Sequence, residues 1–120
     1  MIYKPNQGDI IALDFSPTKG HEQQGRRPAL VVSNNTYNKH GHGIVIVCPI
    51  TNTDRRIKTQ IKLDDRTTTT GVIMTDQIKA LDLNKRNPDY IEALTFDILV
   101  EICDIIGSFT EIEDIEENEE

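Results

Sequence analysis

Only one stretch of this chain repeats apolar residues with a helical period, and it lies near the end. Thr95 is a good N-cap, and Leu94 and Leu99 can form a hydrophobic staple across it. Ile98, Ile102, Ile105 and Ile106 then recur on one face until Gly107, which is expected to end the helix. Everything before it consists of short apolar runs separated by turn residues. Gly8 to Phe15 reads as a strand with imperfect alternation, and Pro28 to Ser33 as a buried strand. Ser33-Asn34-Asn35-Thr36 closes that run, with Asn34 or Asn35 as the cap of a single helical turn. Gly41-His42-Gly43 turns the chain into a strand from Ile44 to Ile50, and Gln60 to Leu63 alternates as a half-exposed strand. Asp64 to Thr70 reads as a turn or flexible connection. Gly71 to Thr75 and Gln77 to Leu81 give two short strands or one bent one, and Tyr90 to Ala93 a last one. Short strands followed by one amphipathic helix predict a mainly β fold: a compact, strongly bent sheet of the SH3-like barrel type with a C-terminal α-helix over it.

At 120 residues the chain is expected to be one domain. With 37% hydrophobic residues and no Trp the core is modest, which makes pairing with a second copy reasonable. The formal charge of −7 is unevenly spread: residues 111–120 hold seven acids and no base, so the remainder carries 13 of each sign. The expected division is a folded domain over 1–110 and a solvated, disordered acidic tail over 111–120. Within the domain, residues 1–70 contain ten Lys and Arg against six Asp and Glu, a basic half able to attract polyanions. Met1 to Asn6 lacks the apolar segment of a signal peptide, and no run approaches a membrane span, which reads as cytoplasmic with no membrane partner. Cys48 and Cys103 sit in apolar stretches, and two reduced, buried thiols are favoured over a disulfide or a zinc site.

A polar loop running into a strand carries the most chemistry. Gly20-His21-Glu22-Gln23-Gln24-Gly25-Arg26-Arg27-Pro28 leads directly into Ala29-Leu30-Val31-Val32-Ser33. Pro28 biases Arg27 toward extended geometry, which holds its guanidinium at a loop–strand junction. A second junction, Pro49-Ile50-Thr51-Asn52, follows the apolar run Ile44 to Val47. An arginine fork and a threonine hydroxyl, each at a strand end, suit gripping a phosphate. His21 titrates near neutrality by default, and Glu22 beside it and Asp76 in Thr75-Asp76-Gln77 are further candidates for moving protons. His21, His40 and His42 flank different elements, and no HExxH or paired-Asp motif occurs, so no metal and no cofactor is expected.

Several motifs in order resemble one family. Gly8-Asp9-Ile10 opens a strand and Asp14-Phe15-Ser16-Pro17-Thr18 closes it; Gly20 to Gly25 follows, then Arg27-Pro28-Ala29-Leu30-Val31, Tyr37-Asn38, Cys48-Pro49-Ile50-Thr51, Gly71-Val72-Ile73 and Asp76-Gln77-Ile78-Lys79. In this order and spacing the chain resembles the PemK/MazF family of toxins, small bacterial endoribonucleases, over roughly residues 8–110. The resemblance implies the plasmid-maintenance toxin barrel shared with gyrase-poisoning toxins. It also implies sequence-specific, metal-independent cutting of single-stranded mRNA, with the 2′-hydroxyl attacking the adjacent phosphate to leave 2′,3′-cyclic phosphate and 5′-hydroxyl ends. Implied partners are a second copy of the chain, a protein antitoxin of the MazE/PemI type, and DNA only indirectly through the antitoxin complex.

Carried over residue by residue, the resemblance makes Arg27 the catalytic cation and Thr51 the phosphate-holding hydroxyl. Without it Thr51 would not stand apart from Thr53. Some members have His and Asp at positions matching His21 and Asp76 and an Arg where this chain has Met74. A mechanism using that second arginine therefore does not carry over, and Asp76 leans toward a structural role. Gln23, Gln24 and Gln77 offer amides suited to base edges, although amides also cap turns. Arg26, Asn52, Arg55, Arg56, Lys58 and Lys79, with Lys62, are expected to track the RNA; a solvated strand edge is the plain alternative. The competing function is a non-catalytic module that binds gyrase, RNA or an antitoxin on the same scaffold.

Overall fold

The computed structural model describes residues 3–15 and 25–114. Its elements are β1 (Asp9–Asp14), β2 (Arg26–Val31), α1 (Asn35–His40), β3 (Ile44–Thr51), β4 (Gln60–Lys62), β5 (Val72–Met74), β6 (Lys79–Asp82), β7 (Asp89–Ala93) and α2 (Phe96–Ser108). All pairings are antiparallel, in the order β4-β5-β3-β2-β1-β7, with β6 also paired to β3. Strand β3 is the hub: β2 runs along one edge, while its other edge pairs first with β6 (Ile44↔Asp82 to Val47↔Lys79) and then with β5 (Ile50↔Ile73 and Thr51↔Val72).

The central strands are covered on both faces, which explains why their sequences are apolar runs and not clean alternations. Ile10, Leu30, Cys48, Ile50 and Ile73 form one cluster with Leu94, Ile98 and Ile102 at and on α2. Ile11, Leu13, Phe15, Ala29, Val31, Val45 and Val47 form the other, with Leu81 and Leu83. Neighbours along each strand thus serve different cores, and the sheet bends around the first with α2 laid over it.

The two ends of the strand order are fastened together by side chains. Glu92 on β7 accepts from the backbone N–H groups of Thr68 and Thr69 (3.0 and 2.8 Å) and from their hydroxyls (3.0 and 2.6 Å), all in the turn between β4 and β5. Arg66 in the same turn reaches across to Asp97 in the first turn of α2, at 3.1 and 3.0 Å, while also gripping Asp64. These contacts curl the sheet toward a barrel. Burial pushes the Glu92 carboxyl up, but the four donated hydrogen bonds together outweigh it and hold the group below its ordinary value of 4.5. Such a carboxylate stabilises the fold above pH 4.5, and that contribution fades as pH falls through the lowered folded value. Glu92→Gln should therefore lower the thermal midpoint at pH 7, and the gap to the wild type should shrink at pH 3; equal gaps at both pH values would contradict the latch.

Of the two alternatives for Asp64 to Thr70 the turn is the one formed, and Glu92 and Arg66 tie it down. Two helix bounds differ from expectation. The helix passes through Gly107 to Ser108, with Phe109 as its cap, since no left-handed residue is present to stop it earlier. The helical turn after Asn34 extends over six residues, Asn35–His40, with the Asn34 side chain accepting from the Tyr37 N–H at 2.8 Å. Thr95 is the N-cap of α2 as expected, but it makes no side-chain capping bond; the Leu94–Leu99 pair and Asp97 mark the start instead. Both thiols are free, Cys48 buried and Cys103 half-buried, and burial pushes Cys48 up to about 12. Residues 111–114 are exposed and carry no regular structure, and the rest of the expected tail lies outside the described residues.

Candidate active site

Arg27 and Thr51 come together through the β2–β3 register. The two strands pair at Val31↔Val47, Leu30↔Cys48 and Ala29↔Pro49, and beyond the last of these pairs they run on to Arg27 and Thr51 at their ends. Strand alternation puts Arg27 on the face of Ala29 and Val31, and Thr51 on that of Pro49 and Val47, which is the same face. A row extends from Thr51 across the sheet: Thr51 pairs with Val72, and Val72 with Lys62. Thr51 and Lys62 therefore share one row across β3, β5 and β4, with Arg27 on the same face beyond the end of the β2–β3 ladder.

Strand ends make this row reachable. Arg27 is exposed and Thr51 half-buried, whereas Ala29, Val31 and Val47 behind them are fully buried. The Thr51 hydroxyl accepts from the Thr53 N–H at 3.2 Å. As an acceptor there, it keeps its own proton for donation to an incoming oxygen. The turn-threonine reading and the phosphate-holding reading are thus compatible, because one uses the lone pair and the other the O–H.

The loop after Thr51 is braced from the same face. Gln60, paired with Met74, accepts from the Arg55 N–H at 2.8 Å, and Asp54 accepts from the Arg56 N–H at 2.8 Å. Arg55, Arg56 and Lys58 in this loop are exposed. Asn52 is exposed as well, with its Oδ1 taken by the Thr70 hydroxyl at 3.0 Å.

Lys79 adds a cation at the same face. It pairs with Val47 on β3, and its Nζ lies 5.6 Å from the centre of the Phe15 ring. Phe15 follows β1, whose Leu13 is the register partner of Arg27, so the ring directs the ammonium toward the Arg27 end. Phe15 and Lys79 stand sixty-four positions apart, and only folding brings them together.

Other candidates fare differently. Arg26 donates to Asp14 at 3.2 Å and to Asp89, so its charge is matched by two carboxylates. Hydrogen bonding from Asn87 and then Arg26 holds the Asp14 carboxyl below the usual carboxylate range. Asp76 lies in the middle of a 3-10 turn, Thr75–Gln77, and accepts from the Thr59 hydroxyl at 3.2 Å; the Thr75 N–H and hydroxyl both donate to the Thr59 carbonyl. This is a structural setting. Gln77 is exposed and Met74 buried. His21, Glu22, Gln23 and Gln24 lie outside the described residues. Among the described residues, no three His, Cys, Asp or Glu side chains gather as metal ligands would.

Comparison with known proteins fixes the family. The model of the PemK-like, MazF-like toxins of type II toxin–antitoxin systems matches residues 6–109. This chain belongs to that family. It is 38% identical over 79 residues to the endoribonuclease toxin MazF of Escherichia coli K12, covering 66% of this chain and 69% of the relative. It is 32% identical over 100 residues to the endoribonuclease PemK of Escherichia coli, covering 80% and 74% of the two chains. The crystal structure of MazF from Deinococcus radiodurans superposes with a TM-score of 0.82 at 33% identity, over 90% of this chain and 97% of that one. A MazE–MazF structure from the same organism gives a TM-score of 0.81 at 32% identity, over 93% and 100%. The mainly β architecture with a C-terminal helix is the fold of these toxins.

Proposed function

We propose that this protein is an endoribonuclease toxin that cuts single-stranded RNA by metal-independent transesterification and is neutralised by a protein antitoxin. The observation that supports this reading is the β2–β3 register, whose continuation beyond Ala29↔Pro49 leads to Arg27 and Thr51 at adjoining strand ends on one reachable face. The relatives named as endoribonucleases and the MazE–MazF complex support the activity and the partner.

In the proposed reaction the scissile phosphate lies between Arg27 and Thr51. The ribose 2′-oxygen forms a bond to phosphorus, and the bond from phosphorus to the 5′-oxygen breaks, leaving a 2′,3′-cyclic phosphate and a 5′-hydroxyl. Charge grows on the two non-bridging oxygens as the phosphorane forms, and a planar fork plus a hydroxyl meets it there. The 2′-proton passes to a general base and a proton is delivered to the leaving 5′-oxygen; His21 and Glu22 are the candidates for these transfers. Arginine itself is a poor base, with a pKa above about 12. Arg55, Arg56, Lys58, Lys62 and Lys79 attract the flanking phosphates, while Gln23, Gln24, Asn52 and Gln77 are placed in the proposal as readers of unstacked bases.

We place the toxin in the cytoplasm, where mRNA is found, and assign it as a homodimer. No helix among the described residues is long and apolar enough to cross a membrane. Phe96, 78% exposed, and Val100 one turn later leave an apolar strip on the outer side of α2 for another copy. DNA contact enters only through the antitoxin complex.

Incubating the protein with a long transcript in excess EDTA tests the reading. Discrete cuts at repeated sequence positions are expected, whereas RNA left intact in EDTA, but cut when a divalent ion is restored, would contradict it. RNA left intact under both conditions would favour the binding module.

A further inference from the structure

The turn between β4 and β5 touches the end of β3 at the residues proposed to hold the phosphate, and that contact is unusually tight. Gly71 has φ +113°, a left-handed conformation. A Cβ there would stand 2.4 Å from the Thr51 carbonyl oxygen, 2.9 Å from its carbonyl carbon and 2.9 Å from Asn52 Oδ1. No side chain fits that space, so the backbone of Gly71 is pressed against the peptide joining Thr51 to Asn52. One residue earlier, the Thr70 hydroxyl donates to Asn52 Oδ1 at 3.0 Å.

The turn is itself held independently of β3. Glu92 fixes Thr68 and Thr69, Arg66 ties Asp64 to Asp97, and the Thr67 hydroxyl donates to the Thr69 carbonyl at 2.9 Å. Thr51 needs such support. Its strand partners in the β2–β3 ladder end at Ala29↔Pro49, and its last partner is Val72, the residue after Gly71. A strand end with one neighbour frays unless something else holds it.

We propose that Thr70 and Gly71 are positioning residues for the reaction: they lock the Thr51–Asn52 peptide so that the Thr51 hydroxyl faces the scissile phosphate. This rests on the reading of Thr51 as the phosphate-holding hydroxyl. The lock acts through geometry. It fixes the orientation of the 51–52 peptide and, through it, the Thr53 N–H that donates to Thr51 Oγ1. Glu92 and Arg66 are the outer anchors of the same device, which links the closure of the barrel to the alignment of the site.

The test uses an RNA oligonucleotide containing one mapped cut site and four variants: Thr70→Val, Thr70→Ser, Gly71→Ala and Thr51→Ala. Thr70 is exposed, so Thr70→Val should leave the thermal midpoint unchanged. It should lower kcat about tenfold, the effect of one lost hydrogen bond, with KM within about twofold of wild type. Thr70→Ser keeps the hydroxyl and should restore kcat. Gly71→Ala displaces the peptide and should lower kcat about 100-fold, the scale of a misplacement near 1 Å. Wild-type kcat in Thr70→Val, with Thr51→Ala inactive, would overturn the lock and leave the Thr51 reading standing. A raised KM at unchanged kcat in Thr70→Val would also overturn the lock, since it would mean direct contact with RNA. Full activity in Thr51→Ala would remove the reading on which the lock rests.

Discussion

Arg27→Ala should reduce the rate of RNA cleavage by at least about 100- to 1,000-fold, the loss seen when one preorganised donor to a developing oxyanion is removed. The effect should fall on kcat more than on KM. The neighbouring cations Arg55, Arg56, Lys58 and Lys62, all exposed, still attract the RNA backbone when Arg27 is gone, whereas the proposed bidentate contact to the reacting phosphate is lost. Arg27→Lys should recover only a small part of the loss, because an ammonium is a point charge and cannot grip two phosphate oxygens in one plane. The fold should be unaffected, since Arg27 is exposed at a strand end. The readout is single-turnover cleavage of an RNA oligonucleotide, with circular dichroism to confirm folding. A variant that cuts within about tenfold of the wild-type rate would take Arg27 out of the chemistry.

The largest effect on stability should come from Ile102→Ala. Ile102 is fully buried and lies where α2 meets the first core, alongside Ile98, Leu30 and Ile50. Truncating such a side chain costs about 2–5 kcal/mol through lost burial and the cavity left behind. For a domain of this size the loss equals a large part of the net stability of about 5–15 kcal/mol. Urea denaturation should show a midpoint far below that of the wild type with a similar slope. Glu101→Ala, at an exposed position of the same helix, should change stability by less than about 1 kcal/mol. If the two substitutions cost the same, α2 does not cover the core as described.

Much of the architecture was readable because local and global signals agree. The period of Ile98, Ile102 and Ile106, the Pro28 junction and the Asn34 cap each point to the element that forms. The imperfect alternation of Ile10, Ile11 and Leu13 was ambiguous for a physical reason: successive residues enter different cores, so period two disappears from hydropathy while remaining in space. The tract Asp64 to Thr70 stayed open between a turn and a flexible connection because its order comes from Glu92, more than twenty positions away, and a run of threonines says nothing about a distant carboxylate.

The site divides in the same way. Arg27 carried its own signal in the proline that follows it, but Thr51 was separable from Thr53 only by family resemblance. Folding supplies the distinction, since Thr51 ends β3 while the Thr53 N–H serves Thr51. Arg26 lacks the proline signal and is the weaker candidate in sequence, and the fold gives it Asp14 and Asp89 as partners. Gly71 had the faint signal of a glycine opening a strand. Its close approach to Thr51 is a tertiary property that no spacing rule encodes.

The account stands on one geometric idea, a ribose-phosphate held between a guanidinium and a hydroxyl so that its own 2′-oxygen attacks. The most direct measurement replaces the single ribose on the 5′ side of a mapped cut with 2′-deoxyribose and leaves every other nucleotide unchanged. The substituted RNA should bind with similar affinity and remain uncut. Cleavage at that bond at a rate comparable to the all-ribose substrate would mean that another nucleophile attacks, and the proposed role of the Arg27–Thr51 pair would fall with it.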